Sequence, residues 1–141
     1  MVESWATDLP PTLPVSKTDP SVTMKSFVPP VGGTRFRIVE FPAQSGLPFD
    51  SEAFHQEFLK LAPELAESEE RDNPGMHTTD SVDYGIVISG EMILELDDGA
   101  TVHLKQSDCV VQNGTRHRWR NPSLQQPCVM AFVLVGATRK R

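Results

Sequence analysis

The chain has 141 residues, enough for one domain around one hydrophobic core, and its 38% hydrophobic and 23% charged residues are those of an ordinary globular protein. A net charge of −6 argues against a nucleic-acid footprint, because the one basic run, Arg139-Lys140-Arg141, is set against an acidic remainder. No apolar stretch approaches the ~18 residues a membrane span needs, and Met1-Val2-Glu3-Ser4-Trp5 has neither the basic nor the apolar region of a secretory leader. The two cysteines, Cys109 and Cys128, lie in apolar, strand-like runs and read as buried free thiols, so a cytoplasmic protein is expected.

Eight of the twelve prolines precede residue 50, so residues 1–30 read as an extended arm rather than a packed element, leading into a domain over residues 31–141. The apolar residues of the arm (Trp5, Leu9, Leu13, Val15, Phe27) predict that it lies on its own domain or on a neighbouring subunit. Gly32-Gly33 predicts a turn, and the alternation from Arg35 to Phe41 predicts a half-buried strand whose Arg37 and Glu40 read as no more than surface charges. Phe54, Phe58, Leu61 and Leu65 share one helical face, placing a short helical insertion at about 51–66 that Pro63 divides in two. His55 reads as a surface residue of that insertion, and the polar run from Glu67 to Asn73 as a loop closed by Pro74-Gly75.

From residue 76 the pattern is all-β. Strands are predicted near 77–88, 91–96, 100–104, 108–112, 116–120 and 128–135, punctuated by Ser89-Gly90, Asp98-Gly99, Ser107-Asp108, Asn113-Gly114 and Asn121-Pro122. Connections this short leave no room for crossover helices, which excludes a parallel α/β sheet and leaves a sandwich or small barrel.

Side chains alternate across a strand, so His77, Thr79, Ser81 and Asp83 are expected on one face. With His117 on a later strand, they offer two imidazoles and one carboxylate, a donor set that suits Fe(II), Zn(II), Mn(II) or Ni(II). The same residues also admit a metal-free pocket in which His77 and Asp83 hydrogen-bond to each other. Trp119 shares the parity of His117 and is expected to line the interior, with Gln112, Thr79 and Ser81 as further candidates for contact with a small molecule. Tyr84 and Arg118 fall on the opposite parity, and His103, between Val102 and Leu104, is expected to face solvent.

Residues 75–121 resemble the double motif of the small single-domain cupins. Gly75, His77, Asp83 and Gly90 take the places of the first motif, with six residues between Asp83 and Gly90; Ser107-Asp108, Gly114, His117 and Asn121 match the second in spacing. Thr79 stands where that family has a second histidine, Asp83 where it has glutamate, and Ser107 and Gln112 where it has glycine and proline. The resemblance implies a jelly-roll β-barrel, a divalent metal on His77, Asp83 and His117, and a homodimer joined through the N-terminal arm. It implies a metal-dependent enzyme acting on a small carbonyl- or carboxylate-containing metabolite through a stabilised enolate, of decarboxylase, dehydratase, isomerase or cyclase type. An Fe(II) oxygenase and a non-catalytic small-molecule-binding cupin are the other readings it admits.

Overall fold

The structure, a computed structural model, describes residues 1–24, 26–44, 46, 51–70 and 72–140, with the side chains at 51, 54, 61, 67 and 68 set aside. Two antiparallel sheets face one another. The larger has the order β1 (Val2–Thr7), β2 (Thr34–Phe41), β8 (Cys128–Gly136), β3 (Ser81–Ser89), β6 (Cys109–Asn113). The smaller has the order β5 (Thr101–Lys105), β4 (Glu91–Glu95), β7 (Arg118–Arg120). This is the predicted all-β jelly roll.

Strict alternation builds the core. On β8, Cys128, Met130, Phe132 and Leu134 are buried, and they meet Val87 of β3, Met92 and Leu94 of β4 and Leu104 of β5. Between β4 and β5, Asp98 and Gly99 both adopt positive φ, 57° and 73°, the backbone twist that a tight hairpin requires. The outer face of the larger sheet is apolar yet exposed: Phe36, Val133, Tyr84 and Val111 form one ladder row, and Ile86 stands in the next.

The helical insertion forms as α1 (Ser51–Leu61) and α2 (Pro63–Ser68), divided at Pro63 as expected. Phe54 and Leu61 of the predicted face lie outside the described side chains, whereas Leu65 is buried. A second stripe, His55, Leu59, Ala62 and Ala66, runs beside it, and His55 is 5% exposed with Ala62 fully buried. His55 is therefore an interior residue rather than a surface one.

Three further expectations change. The arm is not wholly unpacked: the stretch before its first proline, Pro10, forms β1, which pairs with β2 of its own chain. Cys109 is exposed while Cys128 is buried, because β6 turns Val110 and Gln112 inward and so turns Cys109 out; both thiols are free. The strand expected from residue 77 begins only at Ser81, since the chain bends at Asp80 and His77 makes an isolated antiparallel bridge to His117. Among the described residues no helix is long and apolar enough to cross a membrane.

Candidate functional site

The bend at Asp80 determines how the site is built. It carries His77 away from the larger sheet and against His117, where each donates its backbone N–H to the other's carbonyl at 3.0 Å. The two rings lie 4.4 Å apart, centroid to centroid. Each ring is fixed from behind: Nδ1 of His77 donates to the Gly75 carbonyl and Nδ1 of His117 to the Thr115 carbonyl, both at 2.9 Å. A carbonyl can only accept, so both Nδ1 atoms carry the proton and both Nε2 atoms keep a lone pair. Among the described residues neither Nε2 has a hydrogen-bond partner. Burial holds the His77 imidazolium below its ordinary range, and burial together with the neighbouring His77 pushes His117 down to about 4. Both rings are neutral at neutral pH, as a metal ligand must be.

Behind His77 stands a second buried pair. Glu69, at the end of α2, accepts from the Gly75 N–H at 2.6 Å and shares a 2.5 Å hydrogen bond with His55 Nδ1. Glu69 thus fixes the peptide whose carbonyl orients His77. Phe58 of α1 packs at 6.0 Å from the His77 ring, so the helical insertion both positions the imidazole and covers it. Sequence reasoning missed this pair; the small buried residues Ala62 and Ala66 on the same helical stripe as His55 were the available signal.

The other expected residues are all inward. Thr79, Ser81, Asp83 and Gln112 are buried, and Trp119 is half-buried, edge-on to His117 at 5.6 Å and to Phe132 at 5.4 Å. Asp83 does not join the imidazoles. It follows the bend, on β3 next to the edge strand β6, opposite Gln112. Burial raises its pKa, against the opposing effects of the Ser81 hydroxyl and the Arg37 charge. Among the described residues no three His, Cys, Asp or Glu side chains gather as a ligand set. The expected three-donor set is assembled only in part: the donor chemistry fits a divalent metal at the two Nε2 atoms, and Asp83 stands apart from them.

Arg37 is also not the surface charge that was expected. It is 2% exposed, paired with Glu3 at 2.9 Å, and its guanidinium lies 3.8 Å over the Phe27 ring. Glu40, Tyr84 and His103 are exposed, His103 against Glu91, and Arg118 is half-buried, bonded to Glu95. One fastening lies at the C-terminus: Arg139 pairs with Asp80 and donates to the carbonyls of Thr79 and Gly114, both at 2.9 Å. An open groove of about 320 Å³ among Trp5, Leu9, Val15 and Pro20 shares no residue with the imidazole cluster.

Residues 64–135 match the family model described as "Cupin domain". The phomopsin biosynthesis cluster protein D of Diaporthe leptostromiformis is 48% identical over 62 residues, 44% of this chain and 33% of that protein. The oryzines biosynthesis cluster protein J of Aspergillus oryzae is 49% identical over 64 residues, 45% of this chain and 36% of that protein. The cupin-domain-containing oxidoreductase virC of Hypocrea virens is 48% identical over 46 residues, 33% of this chain and 24% of that protein. The matched segments thus span about a third or less of these curated relatives. Among solved structures, a cupin protein from Bacteroides fragilis superposes with a TM-score of 0.48 at 14% identity, covering 93% of this chain and 87% of that one.

Proposed function

Because the chain belongs to the cupin domain family, we propose that it is a metal-dependent enzyme acting on a small carbonyl- or carboxylate-bearing metabolite of secondary metabolism. The observation that carries this reading is the imidazole pair: two neutral rings 4.4 Å apart, each pinned through Nδ1 and each with an Nε2 that is unpartnered among the described residues. That is how metal-ligating histidines are prepared in proteins, with the second ring nitrogen held by a backbone or carboxylate acceptor. His77 and His117 would hold the metal. When bound, it supplies a Lewis acid that polarises a carbonyl and stabilises an enolate, the chemistry shared by decarboxylation, dehydration, isomerisation and cyclisation.

The chain's own residues supply the rest. Asp83, outside the ligand pair and buried, with Oδ1 unpartnered among the described residues, offers the substrate a polar contact away from the metal. Trp119 and Phe132 form an apolar wall beside His117 that excludes water and seats the body of the substrate. Glu69 keeps the His77 ring turned to its task through Gly75. The names of the relatives, "biosynthesis cluster protein", support a place in secondary metabolism.

A second reading, oxygen chemistry on Fe(II), is favoured by the relatives described as cupin-domain-containing oxidoreductases. Elemental analysis tests the first premise of both. Near-stoichiometric metal is expected in the wild type and in Asp83→Asn, and its loss in His77→Ala and His117→Ala. Retention in the histidine variants, or no uptake of Fe(II), Zn(II), Mn(II) or Ni(II) by the wild type, leaves a small-molecule-binding barrel instead. With Fe(II) bound, oxygen consumption on adding candidate substrates separates the two metal readings.

A further inference from the structure

On the inner face of the larger sheet, one ladder row reads Arg35, Leu134, Asp83, Gln112, and the next reads Arg37, Phe132, Gly85, Val110. Arg37, Gln112 and Asp83 are each more than nine-tenths buried. Arg37 Nε and Nη1, Gln112 Nε2 and Asp83 Oδ1 have no hydrogen-bond partner among the described residues, and neither have the carboxylate oxygens of Glu3, which stands opposite Arg37 in the second row. Buried polar atoms are almost always paired; Glu3 keeps its ion contact with Arg37 at 2.9 Å, and the other four atoms call for a ligand.

Arg35 provides the comparison. Its Nε, Nη1 and Nη2 are all engaged, by Ser26, Thr7, Thr34 and Asp8, and it fastens the N-terminal strand. Arg37 is held by Nη2 alone, which donates to the Phe27 carbonyl at 2.7 Å and pairs with Glu3. Arg37 and Asp83 feel one another's charge, yet no ion pair within 4.0 Å joins them among the described residues.

We infer that these two rows bind a polar head of the substrate, a neutral carbonyl group with an adjacent N–H or O–H, distinct from the group that meets the imidazoles. The carbonyl oxygen accepts from Arg37 and Gln112, and the N–H or O–H donates to Asp83. Charge selects the class. Each guanidinium already has a carboxylate of its own, Glu3 for Arg37 and Asp8 for Arg35, and Asp83 is one more negative charge. A ligand carboxylate would bring a further buried anion against Asp83, whereas a neutral group adds no charge, its carbonyl accepting from Arg37 and Gln112 and its N–H or O–H giving Asp83 a partner. Phe132 in the second row touches Trp119, and Trp119 touches His117, so an apolar wall links the head to the imidazole pair.

This inference rests on the reading that the barrel takes a small molecule, and the probes separate the two. Benzamide, benzoate and toluene are titrated into the wild-type protein by amide NMR, at up to about 10 mM, the range expected for ligands this small. Benzamide is expected to bind about tenfold tighter than benzoate or toluene. Gln112→Leu and Arg37→Met should reduce benzamide to the affinity of toluene while leaving toluene unchanged; if Arg37→Met fails to fold, Gln112→Leu decides. Benzoate binding as tightly as benzamide, or an intact benzamide preference in Gln112→Leu, overturns the inference. Toluene and benzamide binding alike removes the polar head but keeps the barrel as a binding site, and no binding by any probe removes both.

Discussion

A histidine that resists protonation leaves a record in the stability of the protein. In the metal-free state His117 protonates near 4 when folded and near 6.5 when unfolded, so between these values the unfolded chain takes up the proton first. The stabilising contribution is complete above pH 6.5 and is lost as pH falls through the interval, at up to about 1.4 kcal/mol per pH unit. His77 shifts in the same direction, whereas Asp83, raised by burial, is favoured at low pH and destabilises as pH rises through its folded value. Urea midpoints measured from pH 7 to 4 should therefore show a flatter acid limb in His117→Phe than in the wild type. An unchanged slope would mean that the ring is more hydrated than its surroundings imply. Much at this scale was legible in the sequence: alternation placed His77, Thr79, Ser81 and Asp83 inward, and all four are buried. What differs is the start of the strand, expected at 77 and found at Ser81 after the bend at Asp80, because residue parity carries no information about a bend.

Among the elements, the helical insertion contributes more than its length implies. Two short helices interrupted by a proline have little stability of their own, so their position must come from tertiary contacts. The Glu69–His55–Gly75 cluster provides them on the side facing His77. Glu69→Ala would leave the His55 ring and the Gly75 N–H buried without their acceptor, and is expected to cost about 3 kcal/mol of stability. It should also weaken metal affinity by about 10- to 100-fold, as loss of an orienting partner typically does. Glu69→Gln, which keeps an acceptor oxygen for Gly75, should restore part of the affinity; equal loss in both variants would reduce the cluster to a packing role. The division of the insertion at Pro63 was readable in sequence. The Glu69–His55 contact spans two elements, and no periodicity within either one announces it. The turns were legible in part for a physical reason: Gly90 and Gly114 have φ of 78° and 60°, conformations glycine signals, whereas Ser107 takes 74° without that signal.

The molecule as a whole presents more apolar surface than a lone small domain needs. Phe36, Tyr84, Ile86, Ile88 and Val111 are all at least 40% exposed on one face of the larger sheet, the sort of patch that marks an interface. A homodimer joined through the N-terminal arm would need a different foundation, since β1 pairs with β2 of its own chain and is the edge strand of that sheet. Light scattering at micromolar concentration is expected to give the mass of two chains, and Tyr84→Lys combined with Ile86→Lys the mass of one, with metal content unchanged. A double mass that survives those substitutions would place the junction at the edge of β1.

Arg139 reaches across from the stretch after β8 to the Asp80 bend on one side and the Gly114 turn on the other, and so grips the approach to both imidazoles with one exposed side chain. The consequence is practical. Substituting Arg139 by alanine, a change at one exposed position, is expected to loosen the two halves of the centre together without altering a single interior residue.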